Sequence, residues 1–407
     1  ADIRGKKRIY GWGFVVFTVG SVLCGLSGTI YMLIAMRVLQ AVGAAMILAL
    51  GPAIVIEAFP NSERGTALGI TGAIVSIGII AGPTIGGVLI KQLSWHWIFI
   101  VNVPIGILGT LMVWRFVPNV PPTGDQRFDY WGAFTLFVSM LTLLLALTLG
   151  PDRGFTSTEI LLLFGLSALA FVAFILIELR VPAPMINLQL FRNTLFSVNL
   201  STGFLTFMAI AGTVLLLTYY LQDTRALDVQ QAGLLLAVLP AALGIVSPIS
   251  GRISDRVNPR PVTVVGLLVM AIGYWALSTL TLESTVLRYV LCLLPVGLGI
   301  GIFQSPNNSA ILGAAPRNQL GTASGLLAVS RTLGQTVGLA VFGAIWAARA
   351  VHYNGAPVRG GATEATPAIQ VAAMQDTYQL IALMMGGALI IALWATYHER
   401  RMEKAGA

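Results

Sequence analysis

Apolar runs of roughly 20 residues, the length of a helix that crosses a bilayer, recur along the whole of this 407-residue chain. They fall at about 9–30, 32–57, 66–90, 97–117, 129–150, 158–179, 196–221, 230–250, 261–281, 285–304, 320–347 and 376–397. The turns between them carry the punctuation of helix ends: Pro60-Asn61-Ser62-Glu63, Pro118 to Asp125, Gly150-Pro151-Asp152, Pro182 to Pro184, Asn258-Pro259 and Gly360-Gly361. Composition agrees. Of the residues, 56% are hydrophobic and 10% charged, with a mean hydropathy of +0.84. A water-soluble globule carries about a quarter charged residues. The chain is therefore read as an all-α, polytopic membrane protein with about 12 transmembrane helices, and the lipid bilayer is its first partner.

What accompanies these runs excludes several function classes. A membrane-embedded enzyme needs Ser, His, Asp, Glu or Cys clustered at membrane depth, and no such cluster is visible. Cys24 and Cys292 lie in apolar runs far apart and read as core filler. His96, His352 and His398 are scattered, so no metal-ligand spacing arises. The formal charge of +8 does not imply nucleic acid, because its distribution follows topology. With the first loop cytoplasmic, alternate loops hold 16 Lys and Arg residues, from Arg4, Lys6, Lys7 and Arg8 through Arg127 to Arg400, Arg401 and Lys404, against 6 on the other side, from Lys91 to Arg359. That is the positive-inside bias, and it places the C-terminus on the cytoplasmic side too. No apolar run precedes Asp2-Ile3-Arg4-Gly5-Lys6-Lys7-Arg8, so no cleavable signal peptide is read.

Within the third run, Gly78, Gly82 and Gly86 recur every four residues, with Pro83 and Gly87 beside them. The next run opens with Trp95-His96-Trp97-Ile98-Phe99 and Asn102-Val103-Pro104-Ile105-Gly106. Gly and Pro weaken a soluble helix, but in a bilayer neighbouring helices absorb that cost. A spacing of four clears one helix face for a close neighbour. The stretch is expected to be either a plain packing seam or a seam whose bend decides which side of the membrane is open.

Gly78-x3-Gly82-Pro83-x-Ile85-Gly86-Gly87 resembles the antiporter signature of the drug-exporting branches of the major facilitator superfamily. The Trp95–Gly106 continuation is similar to the multidrug-efflux branch with fourteen spanners, although His96 stands where that branch more often has arginine. Asp2-Ile3-Arg4-Gly5-Lys6-Lys7-Arg8 resembles the superfamily's loop signature from its aspartate onward. That loop joins the second and third spanners, so the resemblance implies that two spanners precede Ala1. Gly251-Arg252-Ile253-Ser254-Asp255-Arg256-Val257-Asn258-Pro259-Arg260 resembles the same signature. Asn258 replaces its second glycine, and asparagine tolerates left-handed backbone. This weak repeat implies two pseudo-symmetric helical bundles. The remainder of the N-terminal bundle would occupy 1–118, two linking spanners 119–190, a C-terminal six-helix bundle 191–400 and a cytoplasmic tail 401–407.

Arg37 lies roughly 8–10 Å inside its run, where a charge is expensive and needs a polar cavity or a partner. Leu33-x3-Arg37-x2-Gln40-x2-Gly43-Ala44-Ala45 resembles the superfamily's fourth-spanner motif, whose arginine is tied to proton transfer; Ala41 stands where glycine is more usual. Arg331 is a second deep arginine, and Gly325-x5-Arg331-x2-Gly334-Gln335-x2-Gly338 resembles the same branch's penultimate spanner. Structural and functional readings of it weigh equally. Glu57, Glu178, Asp223 and Glu283 sit at run edges, and no acid lies in the middle of any run. A proton-driven exporter needs a titratable group in its cavity, and the branch resembled carries an aspartate on its first spanner. By the same resemblance Asp2 and Asp255, with Arg4, Gly5, Arg8, Gly251 and Arg256, would brace a cytoplasmic gate against helix N-termini of the opposite half. Alone, such aspartates equally serve as solvated caps. Phe204, Phe207, Tyr219, Tyr220, Gln304, Asn307, Asn308 and Gln335 are candidates for the wall of a roomy cavity. The 350–375 stretch, rich in Gly, Ala, Thr and Pro, reads as a flexible outer loop.

Together the resemblance implies proton-coupled efflux of small amphipathic substrates across the cell's inner membrane by alternating access. The proton gradient is the energy source, no cofactor or metal is needed, and a periplasmic adaptor protein is among the partners such an exporter can take. The rivals are uptake or facilitated diffusion of a metabolite, and a non-transporting remnant of a truncated gene.

Overall fold

The computed structural model describes residues 2–119, 128–182, 184–356 and 361–405. Arg127 and part of the expected linker, Arg359, and residues 406–407 of the expected tail lie outside the described residues, as do the side chains of Arg400, Arg401 and Lys404. The described residues contain 12 helices long and apolar enough to cross a membrane, and no strand. They are α1 (Lys6–Gly25), α2 (Ile30–Ala58), α3 (Arg64–Gln92), α4 (Trp97–Phe116), α5 (Tyr130–Arg153), α6 (Thr158–Glu178), α7 (Thr194–Tyr219), α8 (Val229–Val257), α9 (Pro259–Leu277), α10 (Val286–Ala314), α11 (Leu320–Asn354) and α12 (Pro367–Ala405).

The helices begin where the sequence offers a side chain to the orphan N–H groups of a first turn. Thr29 accepts from Met32, Asp129 from Gly132, Asn193 from Leu195 and Phe196, Asp228 from Gln231, and Thr285 from Arg288. Packing then sorts them. In the first part α1 lies against α2 and α4. In the second part α7 to α12 enclose one large core, with Leu267, Met270, Tyr274, Tyr378 and Met385 fully buried. Between these parts α5 and α6 form a hairpin whose seam is reciprocal: Ser139 Oγ donates to Ser167 O (3.1 Å) and Ser167 Oγ to Ser139 O (2.9 Å). Helix α5 also touches α11. The two parts meet where α3 lies along α8 and where α2 meets α11.

Several expected boundaries fall short. The turn-like Ser305-Pro306-Asn307-Asn308 lies inside α10, which runs to Ala314. These four residues are buried among neighbouring helices, and that packing carries the helix through Pro306. The 350–375 stretch is largely helical, because α11 extends to Asn354 and α12 starts at Pro367. Val371 and Met374 are buried in the core, and Arg349 Nε meets Asp376 Oδ2 at 3.0 Å, so tertiary contact overrides the loop-like composition. Gly251 to Val257 form the last two turns of α8, and only Asn258 breaks the chain, at φ 88°.

Among the described residues no helix fills the seam expected at Gly78, Gly82, Gly86 and Gly87, since a Cβ at any of the four would meet nothing within 4 Å. The close contact of α3 lies earlier. A Cβ on Gly69 would sit 2.4 Å from the Ser247 carbonyl oxygen, and one on Gly251 2.1 Å from that of Gly65. Ser305 Oγ donates to the same Gly65 oxygen at 2.6 Å. The reason is angular. Gly65, Gly69, Gly72 and Ser76 form one stripe facing α8. Gly78 and Gly82, two and six residues further on, are rotated from it by about 200° and 240°, whereas Gly87 returns to the stripe's side and is open because no helix approaches it there among the described residues. Pro83 is accommodated within an unbroken helix.

This contrast gives a first expectation. Gly65→Leu forces a side chain into the α8 backbone and should cost about 1–3 kcal/mol, read as a lowered unfolding temperature in detergent. Gly82→Leu, at an open position, should leave that temperature unchanged.

Candidate functional site

Four helix ends converge at one end of the molecule, the end that carries Asp2 and Asp255. Asp255, in the last turn of α8, reaches the start of α3. Its Oδ1 accepts from Gly65 N (2.7 Å), and its Oδ2 accepts from Thr66 N (2.8 Å) and Thr66 Oγ1 (2.7 Å). Asp2, just ahead of α1, does the same at the start of α11. Its Oδ1 accepts from Gly321 N (3.1 Å), and its Oδ2 accepts from Thr322 N (3.0 Å) and Thr322 Oγ1 (3.4 Å). The first-turn N–H groups of a helix have no partner within the helix, and the helix dipole makes that end positive, so a carboxylate is the matched ligand.

The two contacts are copies of one another. Each aspartate stands three residues before a cap of unusual backbone: Gly5 at φ 86°, ψ 129° and Asn258 at φ 88°, ψ 142°. Each joins residues far apart in sequence, from the first part to the second and from the second to the first. Lys6 adds charge to one copy, with Nζ 3.1 Å from Asp2 Oδ1 and 2.5 Å from Glu57 Oε1. Behind the polar contacts lies an apolar plug, in which Ile56, Leu68, Phe196, Ile311, Leu312 and Leu320 are buried together from five helices. Gly5 and Gly251 are buried at this junction. Arg4, Arg8 and Arg256, expected beside the aspartates, are exposed and make no hydrogen bond or ion pair among the described residues, since the backbone N–H groups already fill the carboxylates.

A second constellation lies on α1 and α2. A Cβ on Gly43 would sit 2.3 Å from Phe17 N, and one on Gly20 2.7 Å from Gln40 Cα, so the two backbones touch. This approach buries Gln40, which donates from Nε2 to Ser21 Oγ (2.8 Å) and accepts at Oε1 from Arg37 Nη1 (2.9 Å). The Arg37 guanidinium lies 5.2 Å from the Phe99 ring centroid. Gln40 thus aims Arg37, and no acid takes part.

The third group is on α7, α10 and α11. Arg331 is half-buried over the Phe207 ring, at 4.6 Å, and its Nε is buried without a hydrogen-bond partner. Asn307 and Asn308 are buried on α10, and Gln304 and Phe204 are half-buried. Gln335 is exposed on α11, one turn beyond Arg331. The two tyrosine candidates lie elsewhere: Tyr219 stacks on Trp346 at 5.0 Å, and Tyr220 donates from its hydroxyl to Thr281 O (2.8 Å). These two tyrosines bind the chain's own helix ends together, and their aromatic character serves packing.

Helical parts joined at one end through duplicated carboxylate contacts are the plan of a known transporter fold, and comparison identifies it. The Major Facilitator Superfamily model matches residues 1–339. The chain belongs to the major facilitator superfamily. Among its superfamily relatives, the riboflavin transporter RibZ of Clostridioides difficile is 36% identical over 87% of this chain and 76% of its own length. The multidrug resistance protein Stp of Mycobacterium tuberculosis is 34% identical over 86% of this chain, which spans 65% of that relative. The fold is shared with the human organic anion transporter MFSD10, at a TM-score of 0.67 and 15% identity over 96% of this chain and 78% of that one. It is also shared with the proton:xylose symporter XylE, at 0.56 and 14% over 94% and 79%.

The partners of the two aspartates were not among the residues singled out from the sequence. Their signal is a second superfamily-style repeat, Gly65-Thr66-Ala67-x-Gly69 and Gly321-Thr322-Ala323-x-Gly325, each following a proline, Pro60 or Pro316, by five residues. Asp255→Ala should lower stability by about 1–3 kcal/mol, as expected for a lost charge-assisted contact. Thr66→Ala should cost less, and the two losses should fail to add in a double-mutant cycle measured by thermal unfolding.

Proposed function

We propose that this chain is the transporting body of a proton-coupled exporter of the fourteen-spanner multidrug-efflux branch. It works in the inner membrane, with the Asp2/Asp255 end and the C-terminus cytoplasmic. Small amphipathic molecules enter between the two parts when that end opens and leave on the other side when it closes. The observation that carries this reading is the pair of copied carboxylate contacts, which tie the two parts together at one end only. Contacts of this kind break as a unit, so they suit a two-state gate. Arg37, aimed by Gln40, is placed to assist proton transfer. The open Gly78–Gly87 face of α3, with Pro83 in it, is the surface on which the exit path bends and seals.

A second reading, uptake of a metabolite, is favoured by the likeness to RibZ, whose name assigns it riboflavin. Direction separates the two. Inside-out vesicles should accumulate a fluorescent amphipathic dye when their lumen is acidified, and a protonophore should abolish the gradient. Gly82→Leu should abolish transport with the protein still in the membrane. Accumulation only in right-side-out vesicles favours uptake, and protonophore-insensitive equilibration contradicts coupling.

A further inference from the structure

Arg331 is built into place and left without a counter-charge. Just beyond it α11 touches the α7 backbone: a Cβ on Gly334 would lie 2.6 Å from Phe204 O, and one on Gly338 2.2 Å from Met208 O. Ser330 Oγ donates to Leu200 O at 3.3 Å. These contacts hold the Arg331 backbone against α7, its guanidinium lies over the Phe207 ring, and the residue stands roughly 16 Å along α11 from Leu320, at membrane depth. Among the described residues no carboxylate pairs with it, and the buried Nε has no acceptor. One turn away on the same side of α7, Gly203 lies against the amide of Asn307, whose buried Oδ1 also lacks a partner. A cation and an acceptor left unsatisfied at this depth are costly unless a ligand supplies what they lack.

We infer that Arg331, Phe207 and Asn307 form a binding site for an organic oxyanion carried on a planar apolar body. This deepens the transporter reading above and rests on it. The chemistry fixes the arrangement. Phe207 occupies the face of the guanidinium, which leaves its edge, the side that grips a carboxylate with two parallel hydrogen bonds. Asn307 Oδ1 accepts a hydroxyl or N–H from the same cargo. The guanidinium of Arg331 has no carboxylate partner among the described residues, and an unpaired cation favours an anionic cargo over a cationic one.

Two xanthene dyes of similar shape test this: fluorescein, which bears a carboxylate and a phenolic hydroxyl, and rhodamine 123, which is a cation with that carboxylate esterified. Binding to the full chain is followed by fluorescence anisotropy in phosphatidylcholine nanodiscs, and again with phosphatidylglycerol added. Arg331→Gln should weaken fluorescein at least tenfold, about 1.4 kcal/mol, and leave rhodamine 123 unchanged or tighter. Arg331→Lys should recover part of the loss, because it keeps the charge but not the fork. Phe207→Leu should weaken fluorescein a few-fold, and it decides the matter should the glutamine variant not fold. Loss of fluorescein binding when phosphatidylglycerol is added, with rhodamine 123 unaffected, overturns the cargo assignment in favour of a lipid headgroup. Saturable rhodamine binding with fluorescein binding absent, or unaffected by Arg331→Gln, overturns the inference and leaves the transporter reading standing. Failure of both dyes to bind the unsubstituted chain counts against both.

Discussion

A carboxylate seated on the bare N-terminus of a helix from the opposite part of the chain is the interaction on which this arrangement depends. The free N–H groups of α3 and α11 must find acceptors, and an apolar plug lies directly behind them. Asp255 and Asp2 supply them. The bond is strong because the donor is a helix end and the acceptor is charged, and it is local because two or three atoms make it. Backbone contact between Gly65 and Gly251 brings the first pair within reach. A side chain at either glycine would hold the helices apart and leave the carboxylate out of range.

From this interaction the rest of the geometry follows. Two parts fastened through contacts at one end can tilt about a region between them. Helix α3 embodies the difference: its first turns are locked into α8, while Ile77, Ile79, Ile85 and Val88 beyond them are exposed. The charges at depth are both arginines, each held by something other than an acid, Arg37 by Gln40 and Arg331 by Phe207. Rigid seating of a cation without a counter-ion is a way to keep a site ready for charge that arrives from outside.

Much of the fold was legible in the sequence because bilayer thickness imposes one length scale on every apolar run. Most of the boundaries that strayed did so by a few residues; the ends of α8 and α10 and the α11–α12 region strayed further, because the Gly251–Val257 turns, Pro306 and the Gly- and Ala-rich 350–375 stretch carry loop-like composition inside packed helix. The site was partly legible. Asp2, Asp255, Gly5 and Asn258 were visible as a repeat, but their acceptors' partners were not, since a backbone N–H has no residue type to search for. Glycine spacing misled at Gly78 to Gly87, because spacing marks a clear face and does not name the helix that fills it. The contact that forms among the described residues, at Gly65, Gly69 and Gly72, lies earlier on the same helix.

The most direct test is a distance measurement across the junction. Spin labels at Ser62 and Arg256, both exposed and on opposite parts, are attached to a chain whose buried Cys24 and Cys292 are replaced by serine. Double electron–electron resonance should give one short distance for the parent chain and a long, broad population when Asp2 and Asp255 are both changed to alanine. An unchanged short distance in the double variant would show that the carboxylates do not hold the two parts together, and would contradict the account.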